Sequence, residues 1–209
     1  MVQKDSDARR GRPRKFDEQE VLGLARDAFW QSGYQATSVE MLSAATGLNR
    51  PSLYGAFGDK RALFVQLLKD YRAANLRGAK QVLDTAPTLR EGLKAVYEAA
   101  IGIYVSGPAG GRGCFVLGTA PSEALSDDGA REELAGITAG LDAVFEARFR
   151  RAAAEGEALG LPGSREAGRL ATAMLHSLSV RARGGEKRTA LLALASAMID
   201  LLAPAQPAG

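Results

Sequence analysis

The chain has 209 residues, of which 46% are apolar and 24% charged, with a formal net charge of +3. These proportions are ordinary for a globular protein, and no stretch approaches the roughly 18 consecutive apolar residues of a membrane span. One cysteine excludes an internal disulfide, and the basic N-terminus lacks the apolar segment of a secretory signal, so we expect a cytoplasmic protein without a membrane partner. One histidine argues against a zinc site or a His-based catalytic triad, so we expect neither metal nor cofactor.

The basic charge is concentrated towards the N-terminus. Residues 1–80 contain 14 Lys and Arg against 9 Asp and Glu, whereas the remaining residues contain 13 against 15. Six of the basic residues occur within the first fifteen positions, namely Lys4, Arg9, Arg10, Arg12, Arg14 and Lys15. This asymmetry is typical of a polyanion-binding protein, although a solvated tail would carry the same charges. We expect residues 1–15 to form a disordered basic arm.

Helical periodicity begins at Asp17, and no convincing strand follows it. Acidic residues in a first turn, an apolar stripe at helical spacing and a following Gly33 predict a helix over Asp17–Ser32. The stripe consists of Val21, Ala25, Ala28 and Phe29.

The next segment has the pattern of a capping box. In Thr37-Ser38-Val39-Glu40 the Thr37 hydroxyl is expected to accept the Glu40 amide N–H, while the Glu40 carboxylate reaches back. The helix that it opens is short, because Gly47 follows.

A second short helix is predicted immediately afterwards. Asn49 offers an N-cap, and Pro51 occupies a first turn in which its missing N–H does no harm. Leu53 and Phe57 lie four residues apart and are expected to face inward. The outward positions are then Arg50, Ser52, Tyr54 and Gly55.

Gly58-Asp59 ends this helix, and Asp59 is suited to cap a long helix over about Lys60–Val82. Two short helices, joined by a glycine-containing turn and braced by a helix on either side, are typical of a helix-turn-helix. In that motif the N-terminal end of the second helix meets base edges in the major groove of double-stranded DNA. The pattern therefore predicts DNA binding.

The stretch TSVEMLSAATGLNRPSLYGAFGDKRALF, residues 37–64, strongly resembles the tetracycline-repressor (TetR) family, and with the preceding helix the resemblance covers residues 16–66. It implies an all-α protein with a three-helix DNA-binding domain at 16–66, a helical effector-binding and dimerisation domain at 67–203 and a flexible tail at 204–209. It also implies a homodimeric transcriptional regulator, expected to be a repressor, which a small-molecule effector releases from a pseudo-palindromic operator.

The resemblance assigns roles to individual positions. Thr37 and Ser38 match positions at which a hydroxyl and a helix N-terminus meet phosphate. Tyr54 matches a tyrosine that packs against the DNA backbone, and Lys60 matches a lysine that contacts phosphate. The base-facing stretch consists of Arg50, Pro51, Ser52 and Gly55. Among these, Arg50 has the fork of donors that suits guanine O6 and N7.

Direct base readout is expected to be sparse. Gly55 offers no side chain, and Ala56 stands where the family often carries histidine or an aromatic residue. The arm provides a second mode of contact through Gly11-Arg12-Pro13-Arg14, in which Arg12 and Arg14 are suited to a narrow A·T minor groove. Plain attraction of this arm to phosphates is the alternative.

The remaining sequence predicts further helices at about 89–106, 114–124, 128–157, 165–183 and 187–202. The predicted breaks are Gly107-Pro108, Pro121, Gly160 to Gly163, and Gly184-Gly185. Within the resemblance, the last two helices are expected to form a four-helix dimer interface, unless their apolar residues only close the monomer core. These residues are Leu170, Met174, Leu178, Leu191, Leu194, Met198 and Leu201.

An effector pocket is expected between helices of this second domain. The candidate lining residues are Tyr97, Ile101, Tyr104, Cys114, Phe115 and Leu117, although residues of these types more often belong simply to a core. Cys114 follows the glycine-rich stretch 107–113 and is expected beside the pocket. The helix N-terminus and Arg112 favour a thiolate and hence a sensor, whereas free cysteine is often simply buried. We interpret His176, on an apolar helix, as a packing residue.

Two other classes of function remain open. One is a partner-controlled or architectural DNA-binding protein without a small-molecule effector, which a closed pocket would favour over a sizeable cavity with polar groups. The other is an enzyme. The sequence has neither a GxSxG motif nor a glycine-rich phosphate loop, so we expect no enzymatic activity.

Overall fold

The computed structural model describes residues 16–107, 110–157 and 163–204, so Arg12, Arg14 and the end of the tail lie outside it. Across the described residues the regular secondary structure is α-helical, in agreement with the predicted all-α class. The helices are α1 (Glu18–Ala36), α2 (Val39–Thr46), α3 (Arg50–Phe57), α4 (Lys60–Thr85), α5 (Leu89–Tyr104), α6 (Phe115–Glu123), α7 (Asp128–Ala154), α8 (Ser164–Arg183) and α9 (Arg188–Leu202). None of these helices is long and apolar enough to cross a membrane.

The first four helices each begin at a side chain that accepts a backbone N–H from the helix it precedes. These capping residues are Asp17, Ser38, Asn49 and Asp59, with oxygen–nitrogen distances between 2.7 and 3.3 Å. Such a bond satisfies one of the amide groups that a helix start leaves without a partner. The predicted caps at Asn49 and Asp59 are therefore confirmed.

The predicted capping box was wrong by one residue. Ser38, rather than Thr37, caps α2, and it accepts the Met41 N–H at 3.2 Å. The backbone leaves helical geometry at Gly33, whose φ is 78°, and one further turn follows before the helix ends at Ala36. That turn brings the Thr37 hydroxyl within 2.6 Å of the Gly33 carbonyl oxygen, to which it donates, and Thr37 is fully buried.

From α4 onward the predicted helix ends differ from the observed ends by three residues at most. The break predicted at Pro121 was wrong, because Pro121 lies inside α6. Phe115, Val116 and Ala120 of this helix are fully buried, so tertiary packing holds the segment helical although proline removes one N–H.

The core is organised around α6 and α4. The ring of Phe115, fully buried, lies 5.5 Å from Trp30 of α1 and 6.2 and 5.6 Å from Phe64 and Tyr71 of α4, measured between ring centroids. Because α4 is continuous across the predicted domain boundary at residue 66, one helix belongs to both regions. The N-terminal helices and the larger helical region thus share one aromatic cluster.

Candidate DNA-binding surface and internal cavity

The third helix presents a polar surface and buries an apolar one. Leu53 and Phe57 are buried, as predicted. The positions predicted to face bases are exposed at the start of the helix and along its outer side, namely Arg50, Pro51, Ser52 and Gly55. Asn49 holds this exposed end in helical form through its 2.9 Å bond to the Ser52 N–H.

Two basic side chains of this region lie over aromatic rings. The Arg50 guanidinium carbon is 5.1 Å from the centroid of the half-buried Tyr54 ring, and Lys60 Nζ is 4.3 Å from the centroid of Tyr34. A cation over a ring face is attracted by the ring quadrupole, and a stacked guanidinium keeps its edge donors available. Burial, followed by nearby carboxylates, raises the pKa of Tyr34, so its hydroxyl stays protonated.

The start of α2 supplies a further polar group. Ser38 is half-exposed, whereas the buried Thr37 has its hydroxyl engaged by Gly33, so the phosphate contact expected of the Thr37 hydroxyl is contradicted by its environment. The pKa of Glu40 is lowered by hydrogen bonds from its own backbone N–H and from Ser38. The accessible side chains at the start of α2 are therefore those of Ser38 and Glu40, whereas Thr37 is buried.

A cavity of about 260 Å³ lies among α4, α5, α6, α7 and α8. Of the predicted pocket residues, Tyr104, Cys114 and Leu117 line it. Tyr97, Ile101 and Phe115 instead belong to the core, where each is fully buried. The Tyr97 hydroxyl, for example, donates to the Ala171 carbonyl of α8 at 3.2 Å.

Several lining residues were missed by sequence reasoning. They include Asn75, Gly78 and Ala79 on α4 and His176 on α8. The available signal was the run of small residues in the middle of α4, which interrupts its stripe of large apolar residues and leaves space for a cavity. His176, interpreted as a packing residue, is half-buried and lies against this cavity.

Cys114 occupies the N-cap position of α6, but its side chain forms no hydrogen bond to that helix. Its backbone N–H donates to the Ser179 hydroxyl at 2.8 Å. Burial raises the pKa of its thiol. The Arg112 guanidinium lies 3.8 Å from the Trp30 centroid and pairs with Asp27 at 3.2 Å. The thiolate that the helix terminus was expected to favour is therefore opposed by burial, which outweighs the hydrogen bonds from the Leu117 and Val116 N–H groups, and Arg112 is engaged elsewhere.

The apolar residues predicted for a dimer interface divide into buried, exposed and partly buried groups. Met174, Leu178 and Leu191 are buried and close the monomer core. Leu170 and Leu201 are 44% and 72% exposed, and Val180 on α8 is 68% exposed. Leu194 and Met198 are partly buried. The outer faces of α8 and α9 thus carry apolar side chains that the single chain does not cover.

Comparison with known proteins shows which family this arrangement resembles. Residues 21–67 match the family described as "Bacterial regulatory proteins, tetR family". The transcriptional repressor BdcR of Escherichia coli is 35% identical over 117 residues, which are 56% of this chain and 59% of BdcR. The repressor ComR of E. coli is 37% identical over 110 residues, 52% of this chain and 51% of ComR. The chain therefore spans little more than half the length of the curated relatives it matches.

Solved structures extend the likeness to nearly the whole chain. A cysteine mutant of the TetR family regulator CifR, in complex with 26-bp operator DNA, is 33% identical over 90% of this chain and 98% of its own, with a TM-score of 0.76. The reduced form of E. coli NemR has a TM-score of 0.77 over 90% of this chain and 97% of its own, and at 15% identity it shows the shared fold alone. The chain belongs to the TetR family of bacterial transcriptional regulators.

Proposed function

We propose that this chain is a cytoplasmic transcriptional repressor without enzymatic activity, which binds an operator as a homodimer and leaves it when a small molecule occupies the cavity. The observation that carries the proposal is the exposed, capped N-terminal end of α3 in a fold that CifR, 33% identical, presents in a complex with operator DNA. The cavity favours an effector over the alternative of a partner-controlled or architectural protein.

The proposed DNA contacts follow from exposure. Arg50 reads a base pair, because it is an exposed residue in the first turn of α3. Ser38, Tyr54 and Lys60 contact the phosphate backbone, which fixes the register without reading sequence. Pro51, Ser52 and Gly55 allow the helix to approach the groove closely. Arg12 and Arg14 of the arm remain proposed contacts to the minor groove or to phosphates.

The proposed dimer uses the outer faces of α8 and α9. Exposed apolar residues on these helices, Leu170, Val180 and Leu201, lose water when two copies pair about a two-fold axis. The two α3 helices then reach successive major grooves, about 34 Å apart on DNA and somewhat farther apart in a ligand-bound form.

The proposed release requires contacts that connect the cavity to the N-terminal helices. Cys114 lines the cavity, and the segment before it contacts α1, because Trp30 Nε1–H donates to the Arg112 carbonyl at 3.2 Å and Arg112 pairs with Asp27. A ligand that displaces this segment or α6 moves α1 and α4 with it. Such a rigid-body shift alters the spacing of the two α3 helices.

The full chain tests the proposal directly. Binding-site selection from random duplex DNA, followed by footprinting, is expected to yield a pseudo-palindrome, and sedimentation at micromolar concentration is expected to show a dimer. Leu170→Glu on the outer face of α8 is expected to give a monomer with weakened operator binding, whereas Leu125→Glu on another exposed surface is the matched control. A wild-type monomer with a non-palindromic footprint would contradict the proposal.

A further inference from the structure

The cavity opens between α4 and α5 and is closed at its far end. The residues at its opening, Ala74, Gly78 and Ala99, are small and exposed. At the opposite end, Leu141 and Leu175 are buried. A molecule that enters between α4 and α5 therefore meets a mostly apolar wall before it reaches this closed end.

No charged side chain lines this cavity within the described part of the chain. The ionisable groups that do line it are held neutral, because burial raises the pKa of Tyr104 and of Cys114 and lowers the pKa of His176. Asp142 opposes the shift at His176 but is the smaller influence. A charged ligand would lose its hydration here without gaining a counter-ion, which is costly.

One residue of the lining has a buried polar atom without a hydrogen-bond partner. Nε2 of His176 is buried and has none among the described residues. A neutral imidazole nitrogen either donates or accepts, according to its tautomer. Buried polar atoms without partners are rare in folded proteins, and each calls for an explanation such as a bound water or a ligand. Asn75, by contrast, has its amide engaged with the Tyr71 carbonyl at 2.9 Å.

The volume limits the size of the ligand. At about 260 Å³ the cavity exceeds the roughly 150 Å³ that accommodates benzene and falls below the roughly 300–1,000 Å³ of sites for drug-sized molecules. Two fused six-membered rings are of a suitable size.

We propose that this cavity binds a small uncharged molecule, apolar over most of its surface, whose single polar group exchanges a hydrogen bond with Nε2 of His176. The ligand's role as an effector rests on the proposed function, whereas its binding does not. His176 is thereby a specificity-determining residue of the site.

Four probes of similar shape test the chemical class on the full chain at pH 7: naphthalene, 2-naphthol, 2-naphthoate and naphthylmethylammonium. Calorimetry or competition fluorescence measures the dissociation constants. The two neutral probes are expected to bind, with 2-naphthol the tighter, and both ions are expected to bind at least about tenfold more weakly. Equal binding of either ion, or no binding of the neutral probes, overturns the proposal.

Substitutions test the place and the hydrogen bond. His176→Phe is expected to weaken 2-naphthol by about three- to tenfold and to leave naphthalene unchanged, and His176→Gln is expected to recover most of the loss. Ala100→Trp, which fills the cavity, is expected to abolish binding of both, whereas Leu125→Trp, on an exposed surface, is the control. An equal loss of naphthalene in His176→Phe shows a purely structural histidine and overturns the assignment.

Operator binding, measured in parallel, separates this inference from the proposed function. If 2-naphthol binds in the cavity and operator affinity is unchanged, the ligand class is supported and its effector role fails. If the operator is bound normally while no neutral probe binds, the ligand class fails and the DNA-binding function is untouched.

Discussion

The N-terminal region (α1 to α4) and the larger helical region (α5 to α9) differ in how their helices begin. Each of α1 to α4 starts at a side chain that bonds to the first turn, namely Asp17, Ser38, Asn49 and Asp59. In the second region Thr88 and Asp127 cap α5 and α7 in the same way, whereas α6, α8 and α9 have no side-chain cap. The first region is therefore encoded by neighbours in sequence, and much of the second depends on packing between residues far apart in the chain.

The segment before α6 illustrates that second kind of encoding. Gly111 lies so close to α8 that a Cβ on it would stand 1.5 Å from the Ala182 carbonyl oxygen. Only glycine therefore fits at this position. The N–H groups of Arg112 and Gly113 both donate to the Tyr104 carbonyl at the end of α5. These contacts join α5, α6 and α8 and fix where α6 begins, next to Cys114 of the cavity lining.

The largest effect is expected where the two regions meet. Phe115→Ala is expected to lower the free energy of unfolding by about 3–5 kcal/mol, because it removes a fully buried ring that contacts aromatic residues of α1 and α4. Chemical denaturation measures the loss, and Leu125→Ala, at an 84% exposed position, is the control. A loss below about 1 kcal/mol would show that the regions are stabilised independently.

A smaller effect, confined to the first region, is expected at Arg50. Arg50→Ala is expected to cost about 1–3 kcal/mol of binding free energy at one symmetric pair of base positions and to relax the preference there. Binding assays on an operator library, with every base pair substituted in turn, measure this. A uniform loss across all substitutions would make Arg50 a phosphate contact instead.

The contrast between capped and uncapped helices leads to a paired prediction. Asn49→Ala is expected to lower the free energy of unfolding by about 1 kcal/mol, because it removes the bond to the Ser52 N–H. Lys187→Ala, at the start of α9, is expected to have no measurable effect, because that side chain forms no cap bond. Equal losses in the two variants would remove the distinction between the regions.

These differences explain what could be predicted from the sequence. Helix ends and the inward face of α3 depend on residues within one or two turns, and Asn49, Leu53 and Phe57 carry that information locally. The register of the cap at Ser38 was missed because it depends on the extra turn after Gly33. The cavity lining was only partly predicted. Periodicity identifies an apolar face, but which of its residues lie in the core and which against an empty space is decided by helices distant in sequence.

Lys60 is expected to show a weaker, sequence-independent effect. Lys60→Ala is expected to weaken operator and random DNA alike and to reduce the slope of log affinity against log salt by about one unit, because one phosphate contact is lost. Titrations at several salt concentrations measure both slopes, and a loss limited to the operator would contradict the assignment.

The smallest effect is expected at Asp127, a charged link between the regions. This carboxylate accepts from Arg61 Nη2 of α4 at 3.0 Å and from the Ala130 N–H at 3.0 Å, where it caps α7. The Arg61 hydrogen bond, followed by that backbone bond, lowers the pKa of Asp127. A carboxyl whose pKa is lower in the folded state stabilises the fold above its unfolded pKa of about 3.9, and this contribution is lost as the pH falls through the folded value.

Asp127→Asn keeps a good capping residue and removes only the charge. The variant is therefore expected to be slightly less stable than the wild type at pH 7, and the difference is expected to shrink at high salt, because Arg61 is half-exposed. It is also expected to diminish as the pH falls below about 4 and to vanish below the folded pKa of Asp127. Asp128→Asn, whose side chain is 93% exposed, is the matched control. Thermal unfolding from pH 3 to pH 7 measures both variants, and a loss at Asp127 that is constant with pH would mean that the cap, not the charge, was disturbed.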